Sequence, residues 1–173
     1  MTGLLEKFLD DRGANAPHSK QSLRLWLKIL GCATVVEKTL RNRLAQEFGS
    51  TLPRFDVLAA LDRDPEGLTM SELSSRLLVS NGNVTGLVTR LQQDGLVERR
   101  ANEQDRRVFR VRLTNRGREA FRRMAAVHEG WVEGMFAELS DEEIAQLLTL
   151  LARAQHSIGS AVNENQDKNE DEE

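Results

Sequence analysis

The sequence predicts a mainly α-helical protein with one small β-hairpin, in which long helices at both ends of the chain flank a compact middle. Two observations concern the helices. Apolar residues recur every three or four positions over long stretches near both termini, a spacing typical of amphipathic helices. Shorter helical segments with clear start signals occupy the middle. The third observation is a segment after them in which apolar and basic residues alternate, as in half-buried strands.

The first long helix is predicted over residues 20–52, after an N-terminal arm of residues 1–19. Residues 114–161 contain two further helical stripes, and the second of these begins at a capping box formed by Ser140 and Glu143. Helices this long in a small protein indicate termini that bury their apolar stripes against a second copy of the chain. A monomeric helical bundle is the alternative. The first stripe comprises Leu23, Leu27, Leu30, Ala33, Val36, Leu40, Leu44 and Phe48.

A helix-turn-helix is predicted in the middle of the chain. A short helix over residues 53–61 precedes it, and Thr69 with Glu72 forms a capping box that opens the next helix. After a brief turn, Ser80 is placed to cap a further helix. That helix ends before Gly95, because glycine readily adopts the left-handed conformation found just past helix C-termini.

The helix after Ser80 has one apolar face and one small polar face. Val84, Leu87, Val88 and Leu91 lie within one arc of a helical wheel and are predicted to pack inward. Amide, hydroxyl and guanidinium groups on the other face can pair with base edges in a DNA major groove, and glycines permit close approach. A merely solvated face is the alternative, although such faces usually favour Lys and Glu. The polar face carries Gly82, Asn83, Thr85, Gly86, Thr89, Arg90 and Gln93.

Two strands are predicted next, over residues 96–100 and 108–113. In the second strand Phe109, Val111 and Leu113 alternate with arginines, which predicts one buried face and one basic face. The loop between the strands carries Asp105, Arg106 and Arg107, a charge suited to placing an arginine in a minor groove. Asp105 would hold a neighbouring guanidinium or the turn in shape. Protection of an edge strand by charge is the alternative explanation for the arginines.

The charge of the chain is unevenly distributed, although its formal net charge is only −3. Residues 68–118 contain ten arginines against five acids, whereas residues 163–173 contain six acids and one lysine. This segregation predicts a basic functional surface and a disordered acidic tail over residues 162–173. Since no apolar run is long enough to cross a bilayer, we expect no membrane association and a cytoplasmic protein.

The sequence lacks the motifs of common catalytic sites. It contains no Gly-rich phosphate loop, no HExxH and no Cys-x-x-Cys, and its three histidines are far apart. We therefore expect no enzyme activity, no cofactor and no metal site. A helical protein-interaction module that does not bind DNA is the alternative class, but it does not explain a glycine-rich polar face beside a basic hairpin.

Four segments together resemble the winged helix-turn-helix of the MarR transcriptional regulators: residues 68–73, residues 90–97, the run Asp105-Arg106-Arg107, and Leu113-Thr114 with Gly117. The resemblance extends over residues 23–158. It implies a winged helix-turn-helix DNA-binding lobe over residues 53–113, plus long N- and C-terminal dimerisation helices. The implied DNA-binding residues are Ser80, Asn81, Asn83, Thr85, Thr89, Arg90, Asp105, Arg106 and Arg107.

The resemblance also implies how such a protein acts. A homodimer binds double-stranded DNA at a near-palindromic operator and represses nearby genes. Repression is relieved when a small aromatic acid, or in one branch its coenzyme A thioester, binds between the dimerisation helices and the DNA-binding lobe.

Six residues are candidates for contacts with this effector. Arg24 and Lys28 lie one turn apart and suit a carboxylate, whereas Arg41, Arg43 and Arg54 suit phosphates. The sixth, Trp26, would line an aromatic pocket. For each of them a structural role is the alternative, since long cations shield helix edges and tryptophans fill cores.

A thiol-based redox sensor that uses Cys32 is a further alternative for the function. The hydroperoxide-sensing branch of the family combines a reactive cysteine with tyrosines, but this chain has one cysteine and no tyrosine. Cys32 lies beside Leu30 and Ala33, and apolar surroundings disfavour the thiolate. We therefore expect a structural thiol.

Overall fold

The computed structural model describes residues 18–101 and 109–170. The described chain forms six helices and one antiparallel hairpin, which confirms the mainly α fold with a small β wing. The chain divides into two compact units, the first ending at Val132 and the second beginning at Glu133. The elements are α1 (His18–Phe48), α2 (Leu52–Asp62), α3 (Met70–Leu77), α4 (Asn81–Gln93), β1 (Val97–Ala101), β2 (Phe109–Leu113), α5 (Asn115–Met135) and α6 (Asp141–Glu170).

Two predictions fall partly or wholly outside the described residues. The loop residues Asp105, Arg106 and Arg107 lie there, as do residues 1–17 of the predicted N-terminal arm. His18 already belongs to α1, so the first helix begins two residues earlier than the sequence predicts.

Local hydrogen bonds set the helix starts. Thr69 Oγ1 accepts a hydrogen bond from the Glu72 backbone N–H at 3.2 Å, and the Glu72 carboxylate accepts one from the Thr69 N–H at 2.7 Å. Ser140 and Glu143 make the same reciprocal pair at 3.3 and 2.8 Å. Both predicted capping boxes are therefore confirmed. Ser80 stands at the N-cap of α4, as the sequence predicts, although its side chain makes no capping hydrogen bond.

The turn between α3 and α4 depends on one strained residue. Leu78 has a φ of 52° in the left-handed region, which is costly for a residue with a branched side chain. Its side chain is 92% exposed. The backbone N–H of Val79 donates to the Ser74 carbonyl at 3.2 Å, so the α3 terminus is capped while the chain turns into α4.

The core of the first unit lies among α2, α3, α4 and the hairpin. Val84, Val88 and Leu91 of α4 are fully buried, as the helical wheel predicts, and Leu87 is half-buried. In β2, Val111 and Leu113 are buried, but Phe109 is 55% exposed, which corrects the prediction for that residue. Phe109 pairs with Ala101 at the end of the hairpin remote from the described helices, and none of these helices covers it.

The long helices leave apolar side chains exposed. On α1 these include Leu23, Trp26 and Leu30, and on α6 they include Leu148, Leu151 and Ile158. In the described part of the chain, no helix has both the length and the apolar character that crossing a bilayer requires.

The acidic C-terminal segment differs from its prediction. The sequence predicts disorder from residue 162, whereas α6 continues to Glu170. Glu, Gln and Lys are good helix formers, and a helix that is already nucleated adds further residues at little cost. This corrects the predicted boundary for residues 162–170.

Candidate DNA-binding surface and effector cavity

The exposed face of α4 is the candidate DNA-reading surface. Asn83, Thr85, Thr89 and Arg90 are all exposed, on the side of α4 opposite its buried valines. Ser80 is exposed at the helix start. Asn81 opens α4, but its side chain is outside the described part of the structure. The α4 residues predicted to bind DNA that can be placed therefore lie on one surface, as the helical periodicity requires.

This face is open at its centre. A Cβ atom built on Gly82 or Gly86 would meet nothing within 4 Å, so both glycines leave space beside α4. The hydroxyl of Thr89 donates to the Thr85 carbonyl at 2.8 Å, which leaves its oxygen free to act as an acceptor. Asn83 supplies amide groups, and Arg90 supplies a guanidinium fork suited to base edges.

Two arginines of the hairpin bond to residues outside it. Arg110 donates to the Gly67 carbonyl at 2.7 Å, and Arg112 donates to the Glu66 carbonyl at 2.7 Å and pairs with its carboxylate at 2.9 Å. These bonds join β2 to the loop before α3. Arg99 and Arg100 of β1 are exposed, and Arg100 pairs with Glu98 of the same strand at 2.6 Å. The sequence predicts a uniformly basic face here, whereas the structure divides the arginines between anchoring the hairpin and facing solvent.

Gly67 makes this anchoring possible. Its φ is 81°, and a Cβ atom there would lie 2.5 Å from the Val111 carbonyl oxygen. The neighbouring Leu68 forms an isolated β-bridge with Val111. Sequence analysis misses these partners because the ion pairs and hydrogen bonds join residues more than forty positions apart.

The structure does not bring the six predicted effector residues together. Arg41 pairs with Glu37 one turn earlier on α1, and Arg54 pairs with Asp94 after α4. The Arg43 guanidinium lies 5.6 Å from the centre of the Trp131 ring. Trp26 and Lys28 are exposed on α1, and Arg24 is half-buried there. None of the six lines the large cavity of the first unit.

That cavity has a volume of about 740 Å³ and lies among α1, α2, the end of α3 and His128 of α5. The ring of Phe55 stacks on His128 with a centroid distance of 4.6 Å. Four charged side chains also reach the cavity: Glu37, Asp56, Arg63 and Arg76. A cavity of this size with mostly apolar walls and a few polar groups is typical of small-molecule sites. The apolar lining residues are Ala33, Val36, Leu40, Leu52, Phe55, Ala59, Ala60 and Leu77.

Burial changes the acid–base properties of two of these groups. Burial, and then the negative charge of Glu37, raise the pKa of the Asp56 carboxyl above its usual value. Burial lowers the pKa of His128, so its imidazole is neutral at pH 7. Both shifts arise because desolvation disfavours the charged form.

The sequence pattern does not identify Asp56 as a residue of the site, and it gives His128 no ligand role. One local signal for Asp56 exists: it is an acid between Phe55 and Val57 in a short, otherwise mostly apolar helix, where a charge is costly without a partner. No group of three or more potential metal ligands occurs among the residues whose positions are described.

Cys32 is exposed on α1. Leu30 is exposed as well, so the described residues of a single copy do not give this thiol the apolar environment that the sequence predicts.

Comparison with known proteins places this architecture among bacterial regulators. A family model described as the MarR family matches residues 48–108. The transcriptional activatory protein BadR of Rhodopseudomonas palustris is 35% identical over 115 residues, which cover 64% of this chain and 65% of BadR, just under two thirds of its length. The uncharacterised HTH-type transcriptional regulator YkoM of Bacillus subtilis is 32% identical over 70% of this chain and 77% of YkoM.

A solved structure shows similarity to a MarR family regulator over more of the chain. The crystal structure of a MarR family transcriptional regulator from Silicibacter pomeroyi matches with a TM-score of 0.71 and 33% identity. The match covers 83% of this chain and 99% of that one. The similarity therefore includes the long helices as well as the DNA-binding lobe.

Proposed function

This chain belongs to the MarR family of transcriptional regulators, and from that premise we propose that it is a ligand-responsive regulator that binds a near-palindromic operator as a homodimer. The observation that carries the proposal is the exposed face of α4, where Asn83 and Arg90 lie beside Gly82 and Gly86, two glycines with open space next to them. Such a face suits base edges in a major groove. The family consists of transcriptional regulators and not of enzymes.

The proposed dimer is supported by the apolar stripes of α1 and α6. Large side chains on each helix are exposed in a single copy of the chain, such as Trp26 on α1 and Leu148 and Ile158 on α6, and large exposed apolar patches mark interfaces. Two copies related by a twofold axis would place their α4 helices in half-sites whose centres lie about 10 bp apart.

The direction of regulation that we propose is repression that the effector relieves. The name of BadR marks that relative as an activator, so the direction must be measured for this protein. In vitro transcription from the bound promoter, with and without the protein, distinguishes the two directions.

We propose that the effector enters the cavity beside Phe55 and His128. This cavity lies between α1 and the helices α2 and α3, which pack against α4. A small aromatic acid or its coenzyme A thioester remains the prediction from family resemblance. The six residues predicted to bind it do not line this cavity. Aromatic acids are therefore one of the ligand classes to be tested, and the proposed location of the effector does not depend on them.

Selection of bound fragments from random DNA, followed by footprinting and titration, tests the proposed function. We expect a twofold-symmetric protected site and an affinity that falls steeply with salt as phosphate counterions are released. Protection of a single half-site by one copy of the chain would contradict the proposed dimer. The absence of any selected sequence would contradict the proposed regulator.

A further inference from the structure

We propose that the cavity among α1, α2, α3 and His128 binds an organic cation with an aromatic body, and that the carboxylate of Asp56 recognises its positive charge. This inference rests on the proposed function, because it assigns a chemical class to the effector of that regulator. It differs from the anionic effector that the sequence predicts.

The aromatic part of the ligand follows from the walls of the cavity. Phe55 and His128 are stacked with their ring planes 22° apart, and Leu40, Leu52 and Leu77 also line the space. A ring that packs against these groups leaves water for an apolar surface, which is favourable. A volume of about 740 Å³ accommodates a ligand of two or three fused rings.

The charge of the ligand follows from which ionic groups already have partners. Glu37 pairs with Arg41, and Arg76 pairs with Asp64 at 2.8 Å. Within residues 18–101 and 109–170, the carboxylate of Asp56 has no ion-pair or hydrogen-bond partner. It is only half-exposed, and the nearby charge of Glu37 further disfavours its ionised form. A ligand ammonium group would supply the counter-charge that Asp56 lacks.

Arg63 is the remaining cation at the cavity, and it should attract an anionic ligand less strongly than Asp56 attracts a cationic one. Arg63 is the C-cap residue of α2 and is exposed, so water screens its charge. Asp56 lies two turns earlier on the same helix and is more buried. An ionic contact with Asp56 is therefore less screened than one with Arg63.

Calorimetry on the purified full chain without DNA tests the charge preference. Three probes share one ring system and differ in their terminal group: 2-(1-naphthyl)ethylamine, 2-(1-naphthyl)ethanol and 1-naphthaleneacetate. We expect the amine to bind about tenfold more tightly than the alcohol, the ratio that one charge-assisted hydrogen bond provides, and the acetate to bind most weakly. Tighter binding of the acetate than of the amine would overturn the proposal.

Variants locate the contact. Asp56→Asn has nearly the same shape and removes the charge, so the amine should lose its advantage over the alcohol. Asp62→Asn is the matched control, because Asp62 ends the same helix, is exposed and does not line the cavity. Ala59→Leu should weaken all three probes by filling the cavity. An amine preference that survives Asp56→Asn, or that Asp62→Asn removes equally, would overturn the assignment of Asp56.

Operator titration in the presence of the amine separates this inference from the proposed function. Operator binding combined with a preference for the acetate would overturn the inference and leave the regulator intact. Asp56-dependent binding of the amine by a chain that binds no DNA sequence would support the ligand class and contradict the proposed function. An operator affinity that falls at saturating amine, in the parent and not in Asp56→Asn, is the result expected if both are correct.

Discussion

Arg54 of α2 pairs with Asp94, the C-cap residue of α4, which lies forty residues later in the chain. The Arg54 side chain is only 22% exposed, and its Nε is buried without a hydrogen-bond partner in the described structure. This ion pair ties the end of α4 to α2. Arg54 lies two residues before Asp56 on α2, so the helix that lines the cavity also contacts α4.

A double-mutant cycle on Arg54→Met and Asp94→Asn measures the strength of this link. We expect a coupling free energy of about 1 kcal/mol in urea denaturation, the upper end for partly exposed pairs, because Arg54 is mostly buried. The control is the Arg41 and Glu37 pair, whose side chains are both more than half exposed. Its coupling should be about 0.3–0.5 kcal/mol. Equal coupling in the two cycles would show that the Arg54 pair behaves as an ordinary surface contact.

A pair of glycine substitutions tests the packing of α5 against the hairpin. A Cβ atom at Gly117 would lie 1.9 Å from the Leu96 carbonyl oxygen, whereas one at Gly130 of the same helix would meet nothing within 4 Å. Gly117→Ala should destabilise the fold by roughly 3 kcal/mol because the backbone must move. Gly130→Ala should stabilise it by about 0.5–1 kcal/mol through helix propensity. Chemical denaturation of both variants checks the difference, and a tolerated Gly117→Ala would show that this contact is not tight.

Mutations at the two kinds of predicted DNA contact should have different consequences. Asn83→Ala or Arg90→Ala should cost on the order of 1–3 kcal/mol on the operator and much less on random DNA. Arg106→Ala should weaken binding to all sequences and reduce the salt dependence by about one unit, with some loss of preference for A·T-rich flanks.

Titrations at several salt concentrations measure both effects. Lys38→Ala, an exposed cation on α1, serves as the control for removing one positive charge away from the predicted surface. If Arg106→Ala leaves both the affinity and the salt slope unchanged, the arginines of the hairpin only protect an edge strand.

The stability of the fold should depend on His128 as the pH falls. Burial lowers the pKa of His128 below its usual 6.5 in the folded protein. The unfolded chain therefore binds this proton more readily than the folded chain, so the free energy of unfolding decreases as the pH falls through about 6.5. His128→Gln should lose less stability over this range. Thermal denaturation of both proteins checks the sign, and parallel pH profiles would be evidence against a desolvated histidine.

Features that depend on neighbouring residues were determined by the sequence alone. The capping boxes at Thr69 and Ser140 and the left-handed Gly95 after α4 all involve groups within one turn of each other. The polar face of α4 follows from a fixed helical period of 3.6 residues. The mainly α fold, the hairpin and the candidate DNA-reading residues on α4 could therefore be predicted before any tertiary contact was known.

Only the tertiary structure decided where charges found partners and where an empty volume remained. Arg112 meets Glu66, and the ring of Phe55 meets His128, because particular helices and strands cross at particular points. The same crossings direct Arg54 into an ion pair with Asp94 and leave Asp56 beside the cavity. A sequence pattern states which face of a helix is polar, but the packing of distant elements determines which polar groups are paired, buried or available to a ligand.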